Sequence, residues 1–560
     1  MNDYAAPDLE FPPIDDANYD EPEKTQVIPL GYDRGIYYYY STETKQVSPL
    51  TTGEHSRAGL SGIASAAKYW EAEFQQFWSK QGFSWPSLAD HLMTQSRAIG
   101  IYDPGRVRGR GAWIENKTPV LHIGDALIVN GIRAPLDVPG SKYIYEAAPR
   151  LMCDILPPLS NRDAHWLVKT SKLLRWEKPV SATLFAGWLA IAPICGALKW
   201  RPSVWITGSS GSGKSWIMEH IVTAILGEIA LSVASVTSEA GIRQALQSDA
   251  RPVIFDEAES ETIADAARMQ AVFNLLRVSS SENAPEILKG QQNQSRARGF
   301  RIRSAFLFQS INVGIAKKAD ESRVTILSLR DHSLPSDVPF PDLVATANER
   351  ITTDFGAGLV SRSVSLVPVI RANSEIFARA VAAHLGSQRL GDQIGTLLAG
   401  AYSLHSAGEI TYDEAVKYVA AQEWEDQTPT EDDRDEYRLI RLILASRLKI
   451  GASEIPVSRL IEAARAYEQA DGMVAPETAD RALREAGIKP GTHENVPGLF
   501  FSANHPQLKI ILRGTPWESS WSRALSRLTG AVSGRELQTV RFSLGQRSRA
   551  VWVPLSAIDA

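Results

Sequence analysis

The stretch from Val204 to Val222, VWITGSSGSGKSWIMEHIV, limits the possible folds more than any other part of the chain. A short apolar run, Val204 to Thr207, gives way to a glycine-rich turn. Apolar residues at helical spacing then follow at Trp216, Ile217, Ile221, Val222 and Ile225. That order reads as strand, loop, helix. Within it, Gly208, Gly213, Lys214 and Ser215 satisfy the pattern G-x-x-x-x-G-K-[ST].

The chemistry of phosphate binding needs these residue types at this spacing. Glycines let backbone N–H groups turn inward around phosphate oxygens with no Cβ in the way. The helix that follows offers its unpaired first amides and the positive end of its dipole to an anion. Lys214 can reach the β- and γ-phosphates of ATP, and the Ser215 hydroxyl can ligate Mg²⁺. Gly208, Ser209, Ser210, Gly211, Ser212, Gly213, Lys214 and Ser215 together form the candidate nucleotide loop.

Downstream, RPVIFDEAES gives an apolar strand, Val253 to Phe255, that ends in Asp256 and Glu257. Asp256 is placed to hold Mg²⁺ through water, and Glu257 to polarise an attacking water molecule. An acid pair after a strand is common. Here it lies 42 residues beyond Lys214, with one strand (Ala230 to Val236) and one helix (Ser238 to Gln247) between, and the spacing makes it specific. A third strand-like run, SAFLFQSIN from Ser304 to Asn312, ends in polar residues. Asn312 is the candidate for orienting water and sensing the γ-phosphate, with Ser310 second; the bland alternative is a strand-capping Asn. KKADESRVTILSLRD follows, and Arg323 at the start of its strand suits an arginine finger reaching a neighbouring subunit's nucleotide. Arg330 is the fallback, and an intrachain pair between Arg323 and Asp320 is the competing reading.

These features in this order resemble the AAA+ class of P-loop ATPases, and most closely the superfamily 3 helicases of phages, plasmids and integrative elements. The resemblance covers about residues 200–335. It implies an ATP- and Mg²⁺-dependent DNA helicase or translocase, assembled as a ring, with a homo-hexamer the expected form. In such helicases, a β-hairpin between the second Walker strand and the sensor strand projects into a central channel. The matching segment here, Lys289 to Arg303 (KGQQNQSRARGFRIR), holds five basic residues and no acid, so Lys289, Arg296 and Arg298 are candidate contacts to single-stranded or forked DNA. A solvated charged loop would look the same. No primase carboxylate constellation or zinc-binding cysteine set is present, so priming or initiation would fall to a separate protein.

Length and composition set the remaining frame. A chain of 560 residues, 44% hydrophobic and 22% charged, can bury several cores and suggests roughly three or four domains. Its two cysteines, Cys153 and Cys195, rule out a disulfide framework and fit a reducing, cytoplasmic setting. Residues 1–30 carry eight acids against one lysine, unlike a signal peptide. Ser181 to Leu198 is uncharged and apolar, yet it contains Pro193 and leads straight into the loop strand. A buried helix is expected there, not a membrane span.

The expected layout is an acidic disordered tail (1–27), an N-terminal α+β domain (28–140), a helical region packing on the ATPase (141–198) and the α/β ATPase core (199–335). A helical lid (336–422), an acidic linker (423–436) and a C-terminal helical and winged-helix-like domain (437–560) complete it. In that last region, eight Arg/Lys face two Glu between Phe501 and Val553. The run SSWSRALSRLTG places Arg523 and Arg527 on one helix face as further DNA-contact candidates. Arg547 and Arg549 are expected near a wing tip. A merely stabilising end-cap is the alternative. Arg106, Arg108 and Arg110 form a third basic cluster without an assigned role.

Two other kinds of work fit the same motifs. One is a loader, remodeller or defence-associated motor acting on a protein; the other is a DNA-binding initiator that uses nucleotide only as a switch.

Overall fold

Five short apolar runs between residues 203 and 328 are each too short for a helix, and three of them, at 203–207, 253–255 and 306–310, are buried on both faces, which is the signature of a parallel sheet covered by helices. The computed structural model describes residues 26–558 apart from 65–66, 154, 259–261, 285–286, 292–293, 316, 332–338, 425–434, 466–473, 514, 516, 519, 535–536, 538 and 544–545. In it those runs become β1 (Ser203–Thr207), β2 (Leu231–Val233), β3 (Val253–Phe255), β4 (Phe306–Ser310) and β5 (Val324–Ser328). They pair in the order β2-β3-β4-β1-β5, every neighbour parallel. The late strand β4 therefore lies between β1 and β3. The chain divides into two compact units, residues 1–425 and 426–560, and the sheet belongs to the first.

One face of the sheet is covered by the apolar helix Val180–Ile191, all twelve of whose residues are buried. The expected core helix is thus observed. Each such large aliphatic or aromatic side chain taken from water contributes roughly 1.5–3 kcal/mol. The helix packs against a second one, Gln388–Ser403, by backbone contact: a Cβ at Gly187 would lie 2.0 Å from the Leu397 carbonyl oxygen, and one at Gly400 would lie 2.4 Å from that of Gly187. Any larger residue at Gly187 would force these helices apart. Further helices, Phe340–Arg350, Thr353–Ser365, Val367–Leu385 and Tyr412–Ala420, share the same core.

Two larger antiparallel sheets precede this five-stranded sheet among the described residues. Val27–Asp33, Ile36–Ser41 and Gln46–Thr51 form a meander whose Tyr37, Tyr39 and Leu50 pack with Leu60, Trp70, Leu88 and Leu92. Gly111–Glu115, Thr118–His122, Leu127–Val129 and Ile132–Ala134 form the other. Its Ala112, Leu121 and Ile128 are part of the same core as the helix Val180–Ile191, and Gly111 bridges to Ala250 just before β3.

The arginines of the Arg106/Arg108/Arg110 cluster act in this packing. Buried Arg108 lies over the rings of Tyr143 and Trp113, at 3.9 and 4.8 Å from their centroids. Arg110 grips the Asp249 carboxylate with its amide N at 2.7 Å, Nε at 2.9 Å and Nη2 at 2.7 Å.

The second unit runs helix (Asp435–Ala445), hairpin (Arg447–Ile450 with Ser453–Pro456), helix (Val457–Arg465), helix (Pro476–Glu485), hairpin (Ile488–His493 with Val496–Ser502). That order is winged-helix-like. Farther on, the helix expected over SSWSRALSRLTG is only Trp521–Leu525, because the chain turns at Ser526 and passes through Gly530 at φ 76°. Arg523 and Arg527 are both exposed, but Arg527 falls outside the helix, so the shared helix face is corrected. Arg547 stands in the strand Gln546–Ser548 opposite Arg541, and Arg549 follows it; both are exposed.

Candidate functional site

The loop after β1 is shaped by what its glycines permit. Gly211 and Gly213 take φ of 79° and 95°, and nothing lies within 4 Å of where a Cβ would stand on either. Gly213 caps the helix Lys214–Ile217, leaving its first amides with no side-chain cap. Lys214 is buried, and its Nζ donates to the carbonyl oxygens of Gly208 at 2.7 Å and Ser209 at 2.9 Å. The Ser209 hydroxyl is buried without a hydrogen-bond partner. A buried hydroxyl with no partner marks a place where an acceptor such as a phosphate oxygen would fit.

A cavity of about 620 Å³ opens above this loop. Ser210, Gly211, Lys214 and Ser215 line it together with Glu257, Gln309, Ser310 and Ile311. β3 ends at Phe255, so Asp256 and Glu257 emerge at the sheet's carboxyl edge, where open α/β sheets place their ligands. Both are exposed. Glu257 has φ 52°, an unusual conformation for a residue with a Cβ, and its amide donates to Asp256 Oδ1 at 3.1 Å. Asp256, one residue nearer the strand, is not among the residues lining the cavity.

The end of β4 is locked in place. Trp205 of β1, fully buried and stacked on Phe308 at 5.0 Å, donates its indole N–H to the Ser310 hydroxyl at 2.8 Å. Ser310 in turn donates to the Asn312 carbonyl oxygen at 2.6 Å, and the Thr207 hydroxyl donates to that of Ile311 at 2.7 Å. These bonds turn the chain right after the strand. Ser310 therefore faces the cavity, whereas Asn312 lies two residues past the strand end, exposed and outside the lining. Gln309 is the residue that sequence reading missed: buried, in the lining, with its Oε1 lacking a partner. Asp265 and Arg268, from the helix Ile263–Ser279, also line the cavity and were equally unforeseen.

Arg323 stands just before β5, and its amide donates to the Asp320 carbonyl oxygen at 2.9 Å. Burial, and then nearby Arg389 and Arg277, lower its pKa from the usual arginine value. It is not in the lining of its own chain's cavity. Arg330 is exposed, two residues beyond β5.

The basic segment does form a hairpin, Ile287–Gln291 with Gln294–Phe300, as a two-stranded sheet of its own between β3 and β4. Lys289 sits directly opposite Arg298 in the ladder, and Arg296 lies two positions before Arg298. Beyond it, Arg301 is exposed, while Arg303 packs 5.4 Å over the Trp113 ring.

A glycine-rich loop after β1, an acid pair after β3 and a polar strand end between them, on a β2-β3-β4-β1-β5 sheet, give a mixed α/β architecture consistent with an AAA+/superfamily 3-like NTPase core. Helical and winged-helix-like parts flank it. No family model matches the chain, and no curated protein matches it. Among solved structures, the chain is similar to "SCCmec type IV Cch - active helicase", at 11% identity over 96% of both chains and a TM-score of 0.43. It is also similar to the apo structure of the NrS-1 C-terminal region, at 11% identity over 94% of this chain and 96% of that one, with a TM-score of 0.33; the A form of that region gives 0.35.

Proposed function

We propose that the first unit hydrolyses ATP, and that hydrolysis drives a DNA strand past the hairpin of residues 287–300 in a ring of identical subunits. The observation that carries this reading is the cavity that gathers the Lys214 loop, Glu257 and the Ser310 end of β4.

Each residue has a separable task. The amides from Ser209 to Ser215 and the Lys214 ammonium bind the β- and γ-phosphates. When bound, Mg²⁺ would supply neutralisation of the charge on those phosphates. The Ser215 hydroxyl and, through water, Asp256 would hold it. Among the described residues no group of three or more His, Cys, Asp or Glu is gathered. An ion that keeps most of its waters and takes phosphate oxygens needs no such cage. Glu257 accepts a proton from the attacking water. Gln309 and Ser310 orient that water, a task assigned from sequence to Asn312, which can share it only if the chain after β4 rearranges. Arg323, acting on the neighbouring subunit's site, stabilises charge developing on the γ-phosphoryl group. Lys289, Arg296 and Arg298 bind the DNA backbone, and exposed Arg523 and Arg527 of the second unit offer a further contact. The setting is cytoplasmic replication of a mobile element or phage, with a separate primase or initiator.

Unwinding of a forked duplex tests the proposal. The native chain should separate strands with ATP, and Glu257→Gln should bind nucleotide yet unwind nothing. If Glu257→Gln keeps full function while Lys214→Ala loses it, nucleotide acts only as a switch for DNA binding. If turnover ignores DNA altogether, the motor acts on a protein.

A further inference from the structure

The helix Ile263–Ser279 brings a second cation, Arg268, to the cavity that Lys214 lines. Its start is fixed by a reciprocal cap: Thr262 Oγ1 accepts from the Asp265 amide at 3.2 Å, and Asp265 Oδ2 accepts from the Thr262 amide at 3.1 Å and from its hydroxyl at 2.7 Å. The other oxygen of that carboxylate, Oδ1, holds Arg268 Nη1 at 2.8 Å. Arg268 is thereby tethered to the cavity wall by a residue that is itself immobilised. Both side chains line the cavity with Ser210, Gly211, Lys214 and Glu257. The Arg268 side chain is 22% exposed, and its Nε is buried with no hydrogen-bond partner.

A buried guanidinium N–H without an acceptor is costly to leave unmade, and it marks a place where an acceptor belongs. Guanidinium also matches phosphate oxygens with paired donors. We infer that Arg268 is a phosphate-binding residue of its own subunit's site, donating to the terminal phosphate of a nucleoside triphosphate. The inference rests on the nucleotide-site reading above and extends it to one residue that no motif marks. Arg268 is then the group that distinguishes triphosphate from diphosphate. Lys214 and the loop amides hold the phosphates that both nucleotides share, whereas Arg268, carried on a helix outside the loop, is assigned to the last one. Asp265 is the positioning residue, keeping the guanidinium in place when the terminal phosphate is gone.

Equilibrium binding of ADP and of the non-hydrolysable analogue AMP-PNP, followed by fluorescence on the full chain, tests this. Arg268→Ala should weaken AMP-PNP about tenfold or more, the worth of a charge-assisted hydrogen bond, and change ADP by less than about twofold. Arg268→Lys, which keeps the charge, should recover part of the loss. Lys214→Ala should weaken both nucleotides. If Arg268→Ala leaves AMP-PNP binding as in the native chain, or weakens both nucleotides equally, the assignment of Arg268 is wrong and the site stands without it. If Lys214→Ala binds both nucleotides like the native chain, the site reading itself fails and the inference with it.

Discussion

Arg277 clasps the fully buried carboxylate of Asp320 with two prongs, Nε to Oδ1 and Nη2 to Oδ2, the latter at 2.8 Å. Gln270 donates to the same Oδ2 at 3.0 Å. Both carboxylate oxygens of Asp320 are therefore engaged from the helix Ile263–Ser279, while its backbone oxygen accepts from the Arg323 amide. The pair thus sets where the chain enters β5 and where Arg323 begins.

Removing Asp320 should be felt in the fold. Breaking a buried ion pair by deleting one partner costs about 3–5 kcal/mol, and the partial exposure of Arg277 puts the expected loss for Asp320→Ala near ~3 kcal/mol. A urea-unfolding midpoint checks this, and a midpoint equal to that of the native chain would show the pair to be dispensable.

Arg323→Ala, by contrast, should fold normally and lose turnover by about a thousandfold, in the range of arginine fingers. Mixing it with Lys214→Ala supplies the decisive control. Each variant alone should be inactive, but a mixed ring contains interfaces that join an intact Lys214 site to an intact Arg323. Recovered ATP turnover on mixing is expected, and no recovery would place Arg323 outside the catalytic interface.

How much of this was legible in the sequence follows from the range over which each feature is encoded. The strand–loop–helix at Ser203–Ile217, the strand before Asp256 and the basic hairpin are local patterns, and each was readable from its own residues. Arg110 was not, because its partner Asp249 lies 139 residues away and neither side chain announces the other. Gln309 and Arg268 were hidden for a related reason. A Gln inside an apolar strand and an Arg on a helix with few other charges look ordinary until a cavity forms beside them. The helix carrying Arg523 was overextended because its periodicity continues past Leu525, while the turn toward Gly530 ends it.

Acid should weaken the first unit through His122. Its ring is buried, with Nδ1 accepting from the Gly124 amide at 2.9 Å, which leaves Nε2–H to donate to the Glu146 carbonyl oxygen at 2.8 Å. The neutral ring is thus fully satisfied, and a second proton on Nδ1 would face an N–H. Burial first, and then Arg110, push its pKa from 6.5 down to about 4. The unfolded chain binds the proton more readily across that interval, so stability is undiminished above pH 6.5 and falls as pH drops toward 4. The full loss is about 3 kcal/mol. Unfolding midpoints at pH 7 and pH 5 should differ accordingly, and His122→Gln should flatten the slope. An unchanged midpoint in the native chain would contradict the neutral, buried ring.

Salt should report how the hairpin engages DNA. Removing one phosphate-binding side chain reduces the slope of log affinity against log salt by about 0.7 for single strands. Arg296→Ala/Arg298→Ala should therefore flatten that slope by about 1.4 and weaken binding with little regard to base sequence. A parallel shift at constant slope would point to indirect damage.

The most direct test of the account is ATP turnover with and without single-stranded DNA, in the native chain and in Arg296→Ala/Arg298→Ala. Coupling through the hairpin predicts turnover that DNA stimulates in the native chain, and basal turnover that survives in the double variant without that stimulation. Turnover indifferent to DNA in the native chain, or stimulation fully retained in the variant, would contradict it.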